Sequence, residues 1–323
     1  MRENVGRNVL VTGGCGFLGR NLMQRLLAGG QQFAAAGISQ GCRVRCLDLS
    51  RAPFLGENGI DFVPGSITDQ CALDAAVDGV DAVVHLACNV IPKTSNADPC
   101  LDIETNICGS VRLLDACVRH GVRRFVFISS GGTVYGIPRQ IPIPETHPNN
   151  PDCSYGITKL SIEKYVGMYG RERGLSTCTL RLANPYGEYQ RVKSAQGAVA
   201  VFCYKAITGE PIEIWGDGNV VRDFVYVGDA VNAIVKALVR DDVSGEINIG
   251  SGKGTSMNEL LDMIDGIVGR RTIRKYMPGR VFDVPANVLD ISKARELLGW
   301  EPAVMLPEGI KKTISWISRD GVV

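Results

Sequence analysis

Val9-Leu-Val-Thr-Gly-Gly-Cys-Gly-Phe-Leu-Gly19 is the stretch on which the fold turns. Its apolar start, Val9, Leu10 and Val11, reads as a short buried strand. Glycines at 13, 14, 16 and 19 end that strand, and residues 21–27 follow with Leu22, Leu26 and Leu27 at helical spacing. Strand, glycine turn and helix form the context of a dinucleotide fingerprint. Glycine lets the backbone approach a pyrophosphate with no Cβ in the way. The helix N-terminus then offers unpaired N–H groups and a partial positive charge. A glycine triad alone also fits an ordinary tight turn. The flanking strand and helix favour the cofactor loop.

Moving outward, residues 28–41 form a glycine- and glutamine-rich insertion, and Arg43-Val-Arg-Cys-Leu-Asp48 reads as a second strand ending in an acid. An acid there would take the ribose hydroxyls of an adenosine. Its carboxylate repels a 2′-phosphate, so Asp48 favours NAD over NADP, although Arg51 keeps NADP open. Further strands are expected at 60–63, 81–87 and 123–130, with a helix over 102–120 carrying Asn106. Alternating strands and helices imply a Rossmann-type doubly wound parallel sheet, an α/β fold. Ligands bind such sheets at the carboxyl ends of the strands. Here those ends are the glycine loop, Asp48, Ser66, Ala87 and residues 129–133.

After a proline-rich loop at 138–151, a helix is expected over 154–172 and a sixth strand over 177–182. Asn184-Pro-Tyr-Gly187 opens a stretch of shorter elements. Residues 1–185 are read as the dinucleotide-binding domain, with 217–251 returning to it in part. Residues 186–216 and 252–323 are read as a smaller mixed α/β substrate lobe.

The bulk numbers narrow the class. A chain of 323 residues exceeds one compact core. Its formal net charge of +1 leaves no electrostatic footprint for nucleic acid. No apolar run approaches the length of a membrane span, and the first residues lead straight into the glycine loop rather than reading as a signal peptide. The 11 cysteines show no Cys-x-x-Cys pair, and the three histidines have no metal-ligand spacing. Buried thiols in a reducing, cytoplasmic setting are the expectation, with no metal. His85, inside an apolar strand, is expected to be a core residue rather than a ligand.

Tyr155-Gly-Ile-Thr-Lys159 carries the chemistry. Positions i and i+4 share a helix face. A free phenol, with a pKa near ~10, is no base at neutral pH, but an adjacent cation favours the phenolate. Such a tyrosine can take a proton from a hydroxyl while hydride leaves the same carbon. A bare Tyr-x-x-x-Lys is usually an ordinary surface pair. Its place after a five-strand nucleotide fold reverses that balance.

The chain resembles the extended short-chain dehydrogenase/reductases of the nucleotide-sugar epimerase and dehydratase kind. The match runs in order through Thr12-Gly-Gly-x-Gly-Phe-Leu-Gly19, His85-Leu-Ala87, Asn106, Ser129-Ser-Gly-Gly-Thr-Val-Tyr-Gly136, Pro148-x-x-Pro151, Tyr155-x-x-x-Lys159, Asn184-Pro-Tyr-Gly187 and Arg222-Asp-Phe. Within that group it is most similar to UDP-glucose 4-epimerases. The resemblance implies that Tyr155 is the base and that Lys159 holds the nicotinamide ribose and lowers the tyrosine's pKa. It implies tightly bound NAD, regenerated each cycle, held by Gly13, Gly16, Phe17, Leu18, Asp48, Leu49, Ser66, Ile67, Leu86, Ala87, Asn106 and Ser129 together with Tyr155 and Lys159. It places Asn184, Arg222 and Arg280 on the sugar nucleotide's diphosphate and Asp283 near its ribose. Bidentate cations suit a diphosphate.

Two positions refine the expectation. Epimerases of this group commonly carry Ser or Thr where this chain has Gly131, so Thr133 is assigned the hydroxyl that bonds the sugar oxygen. The resembling 4,6-dehydratases carry an Asp-Glu pair where this chain has Gly132 and Thr133, and residues 129–136 hold no carboxylate. That favours redox-neutral inversion through a 4-keto sugar over elimination. Asn287 stands where hexose-restricted relatives carry a bulky Tyr, which leaves room at carbon 2. A 4-reductase, a dehydratase and a non-catalytic cofactor sensor are the competing readings. A homodimer pairing the 102–120 and 154–172 helices is a further implication.

Overall fold

The computed structural model describes residues 7–29, 42–57, 59–88, 95–192, 197–279 and 284–319. The chain divides into two compact units. The first comprises residues 1–134, 151–181 and 231–247, and the second 135–150, 182–230 and 248–323.

The first unit runs β1 (Asn8–Thr12), α1 (Phe17–Ala28), β2 (Arg43–Asp48), β3 (Asp61–Pro64), α2 (Gln70–Val77), β4 (Ala82–His85), α3 (Pro99–Asp102), α4 (Gly109–Arg119), β5 (Arg124–Ser130), α5 (Ser154–Arg173) and β6 (Ser176–Leu182). With β10 (Gly245–Ile249), these strands build a seven-stranded sheet in the order β10-β6-β5-β4-β1-β2-β3. Every pairing from β3 across to β5 is parallel. This is the doubly wound sheet that strand–helix alternation predicts. Leu10, Val83, Phe125 and Phe127 of the strands pack with Leu73, Leu113, Ile162 and Val166 of the helices in one apolar cluster. Thr12 is in register with Leu47 on one side and His85 on the other. The residues after them, Gly13, Asp48 and Leu86, therefore emerge together at the carboxyl end of the sheet.

The second unit is built on β9 (Val221–Tyr226). β9 pairs antiparallel with β11 (Gly254–Ser256) and parallel with β13 (Ala286–Asn287) and β7 (Asn184–Tyr186). Its core joins Phe202, Phe224, Leu260, Leu261, Ile264 and Trp316.

Several elements differ from the sequence reading. The first helix begins at Phe17, directly on the glycine loop. The helix expected over 102–120 starts at Pro99 and contains a π-helical stretch, Ile103–Cys108. α2 was not anticipated. Its N-cap is Asp69, whose carboxylate accepts from the Cys71 and Ala72 amides. β11 and β13 have three and two residues, too short to show a period. Within the proline-rich loop, Ile143 is fully buried, and its amide donates to the Val288 carbonyl at 2.8 Å. Cys42, Cys46, Cys117, Cys178 and Cys203 are buried as expected, but Cys71, Cys100 and Cys108 are exposed, because they lie on outward helix faces. Among the described residues, no helix is long and apolar enough to cross a membrane.

Candidate active site

The glycine loop fits a dinucleotide by its close approaches. Gly13 has φ +70°, and a Cβ there would lie 2.8 Å from the Ala87 backbone. A Cβ on Gly19 would lie 2.5 Å from the Gly14 backbone, so the helix can start against the turn only with glycine at 19. Gly16 is exposed and N-caps α1 without a side-chain bond, which leaves the first-turn amides facing outward. Asp48 sits beside this loop. Its carboxylate accepts the Cys15 amide at 2.9 Å and the Leu49 amide at 2.8 Å. Phe17, Leu18, Leu86 and Ala87 are partly exposed around the same strand ends, and Leu49 is exposed. The Ser66 hydroxyl pairs with that of Thr68 at 2.8 Å. Ile67 is a core residue, so only its backbone is available to a ligand. The donors and the shape suit a pyrophosphate with an adenosine ribose on Asp48.

α5 carries Tyr155 and Lys159 on one face, as the spacing requires. The Lys159 ammonium is buried, donates to the Ile128 carbonyl at 3.0 Å and lies 5.7 Å from the Tyr155 ring centroid. Burial dominates the phenol, however, and pushes its pKa up, with the Cys88, Cys153 and Asp102 groups adding to the rise. In the chain without ligands, desolvation and these neighbouring groups set that direction.

Thr133 is held against the same helix. A Cβ on Gly156 would meet the Thr133 carbonyl oxygen at 2.9 Å and Pro151 at 2.8 Å. The Thr133 hydroxyl is buried with no hydrogen-bond partner. A buried hydroxyl left unsatisfied costs about 1–3 kcal/mol, so a hydrogen-bond acceptor brought within its reach is favoured. Ser129 is different. Its hydroxyl donates to Glu163 at 2.5 Å, so the side chain expected to serve the cofactor is committed to the core.

In the second unit, Arg222 donates to the Val221 and Val284 carbonyls at 2.9 and 2.7 Å. Asn287 is fully buried on β13, in register with Arg222 of β9. The Asn184 amide donates to the Asp223 carbonyl at 3.0 Å. Asp223, next to Arg222, has a buried carboxylate that accepts from Ser251, Gly252 and Leu289 amides and the Ser251 hydroxyl. Arg280 and Asp283 lie outside the described residues.

Comparison with known proteins decides the family. The model of the NAD dependent epimerase/dehydratase family matches residues 9–250. The chain belongs to that family. It is 35% identical over 319 residues to a putative UDP-glucose 4-epimerase of Methanocaldococcus jannaschii, covering 97% of this chain and 99% of that one. A crystal structure of the Thermotoga maritima UDP-glucose 4-epimerase with UDP-glucose superimposes with a TM-score of 0.89 at 36% identity, covering 97% of this chain and 99% of the other. The Thermus thermophilus UDP-glucose 4-epimerase complex with NAD gives 0.86 at 32% identity, with coverage of 97% and 99%.

Within this epimerase/dehydratase frame, two buried polar groups escaped sequence reasoning. The first joins Glu163 to Arg181, whose guanidinium makes a contact of 2.6 Å, and to Ser129, all essentially without solvent exposure. Glu163 lies one further turn along the Tyr155–Lys159 face, and that i, i+4, i+8 spacing was the available signal. The second is a chain through His85. Ser110 donates to the Asn106 carbonyl at 2.5 Å, so the Ser110 oxygen accepts from His85 Nε2, 2.8 Å away. The Thr12 hydroxyl then donates to His85 Nδ1 at 2.7 Å and accepts the Ala87 amide at 3.3 Å. His85 is thus a satisfied core residue, as expected, and it ties the end of β1 to the strand end at Ala87. Asn106 is buried, and its side-chain amide donates to Asp102.

Proposed function

We propose that this chain is an NAD-dependent epimerase that inverts carbon 4 of a UDP-sugar through a transient 4-keto sugar. The observation that supports this reading is that Tyr155 and Lys159 share one face of α5, whose Gly156 touches Thr133 with its unpartnered hydroxyl, in the same unit as a glycine loop built for a dinucleotide. The glycine loop, Asp48, Ala87 and Lys159 would hold NAD, which when bound would supply a reversible hydride acceptor. Tyr155 takes the proton of the 4-hydroxyl and gives it back to the inverted oxygen. Thr133 donates to that oxygen and fixes it while its charge changes. Lys159 opposes the burial that keeps the phenol protonated, and NAD, when bound, would add positive charge to that balance. Asn184, Arg222, Arg280 and Asp283 are assigned to the nucleotide diphosphate and ribose, and Asn287 to the space at carbon 2.

Inversion is preferred over dehydration because residues 129–136 contain no carboxylate to act on carbons 5 and 6. The test is to incubate the purified protein, without added cofactor, with a panel of UDP-sugars and analyse the products by mass spectrometry and sugar analysis. Products isomeric with their substrates support epimerisation. Loss of water identifies a dehydratase, and stoichiometric consumption of added NADPH identifies a reductase.

A further inference from the structure

α5 begins without a cap of its own. Its N-cap residue, Cys153, is extended at φ −139° and ψ 156° and makes no side-chain cap hydrogen bond, its thiol only facing the Tyr155 and Gly156 amides. The Ile157 amide closes the first turn onto the Cys153 carbonyl, so the amides before it need other acceptors. Two of them find acceptors far away in sequence. The Ser154 amide donates to Asn96 Oδ1 at 2.8 Å, and the Tyr155 amide donates to Ser95 Oγ at 3.0 Å. The Ser154 hydroxyl donates to Asp102 Oδ2 at 2.9 Å, while Asp102 Oδ1 accepts from Asn106 at 2.9 Å. Ser95 and Asp102 are fully buried.

We propose that Ser95, Asn96 and Asp102 form a cap supplied from outside the helix, and that its task is to fix the position of Tyr155. They are positioning residues for the chemistry assigned above, and the inference rests on that reading. Two physical points carry it. First, the Ser95 and Asn96 acceptors fall on the backbone amides of Tyr155 and of the residue before it, and Asp102 holds the Ser154 side chain, so the phenol's own peptide unit is what they anchor. Second, a helix start is normally the part that frays, and here it must hold a reacting oxygen against Thr133. A displacement of about 1 Å at such a group can cost on the order of 100-fold in rate. Asp102 also adds negative charge near the phenol, so its neutralisation acts on ionisation as well as on position.

The experiment compares Ser95→Ala, Asn96→Ala and Asp102→Asn with the conservative Ser95→Thr and Asn96→Asp, each purified with its bound cofactor. The first set is expected to lose 10–100-fold in kcat for the best UDP-sugar, with KM changed less than threefold and NAD content retained. Ser95→Thr and Asn96→Asp are expected to keep near-normal kcat, because a threonine hydroxyl and a carboxylate still accept from a helix amide. Asp102→Asn is expected to move the rising limb of the pH–rate profile to lower pH, which a purely structural lesion would not do. Hydrogen exchange at the Ser154 and Tyr155 amides is read alongside and needs no turnover. Faster exchange at those amides in the alanine variants supports the cap even if no UDP-sugar is a substrate, in which case only the functional reading falls. Wild-type turnover with kcat within twofold in all three variants, or unchanged exchange at both amides, overturns the cap and leaves the functional reading standing.

Discussion

Gly156 sits so close to Thr133 that a Cβ on the one would lie 2.9 Å from the carbonyl oxygen of the other. This contact packs the segment carrying Thr133 against the first turn of α5, next to Tyr155 in sequence. Gly156→Ala is expected to lower kcat at least tenfold. Overpacking costs about 1–3 kcal/mol, while alanine regains about 1 kcal/mol of helix propensity, so stability should fall by no more than about 2 kcal/mol. Thermal denaturation and initial rates on the same preparation check that activity suffers more than folding.

Thr133 separates function from stability in the opposite direction. Valine keeps the shape and removes a buried hydroxyl that has no partner. Thr133→Val is expected to leave the protein as stable as before, or more stable by up to about 1 kcal/mol, while kcat falls about 100-fold. Thr133→Ser should restore most of the rate. Urea unfolding and kcat measured together distinguish this from a packing role.

Burial raises the Tyr155 phenol, and nearby positive charge opposes that rise. Removing the Lys159 ammonium disfavours the phenolate, and the phenol's pKa then rises. Lys159→Met is therefore expected to shift the rising limb of the pH–rate profile to higher pH, with residual activity recovering as the medium becomes alkaline. A profile moved the other way, or unmoved with full activity, excludes the lysine from this role.

His85 makes a stability prediction with a defined sign. Burial, with Lys159 adding, lowers its pKa to about 3 from the ordinary 6.5. The folded state thus keeps the ring neutral where the unfolded chain binds a proton. Its contribution is fully present above about pH 6.5 and is lost as pH falls from there towards 3. The wild-type melting temperature is expected to drop across that window. His85→Gln, with no proton to take up, should show a shallower slope despite a lower starting value.

Much of this was legible in the sequence because local rules and tertiary fold agree. The Val9–Val11 run, the glycines after it and the acid ending β2 each have one structural solution in a parallel sheet. Tyr155 and Lys159 share a helix face at any i, i+4 spacing. α2 was legible too, since Asp69 precedes Ala72, Leu73, Ala76 and Val77 at helical spacing, but its short length hid it among turn residues. What no periodicity reveals is long-range polar pairing. Ser95 on the Tyr155 amide spans 60 residues, and Thr12 on His85 spans 73. Nor does spacing report desolvation, which raises the Tyr155 phenol in the ligand-free chain and which an i, i+4 pattern cannot show.

The most direct test of hydride removal and return at one carbon is an isotope experiment. Purified protein, with no cofactor added, is incubated with UDP-glucose and with UDP-N-acetylglucosamine carrying deuterium at carbon 4, and the products are read by NMR. The expected result is the 4-epimer of at least one substrate, with deuterium still on carbon 4 and no exchange with solvent. Loss of that deuterium to water, a 4-keto-6-deoxy product, or no inversion of any UDP-sugar would contradict it.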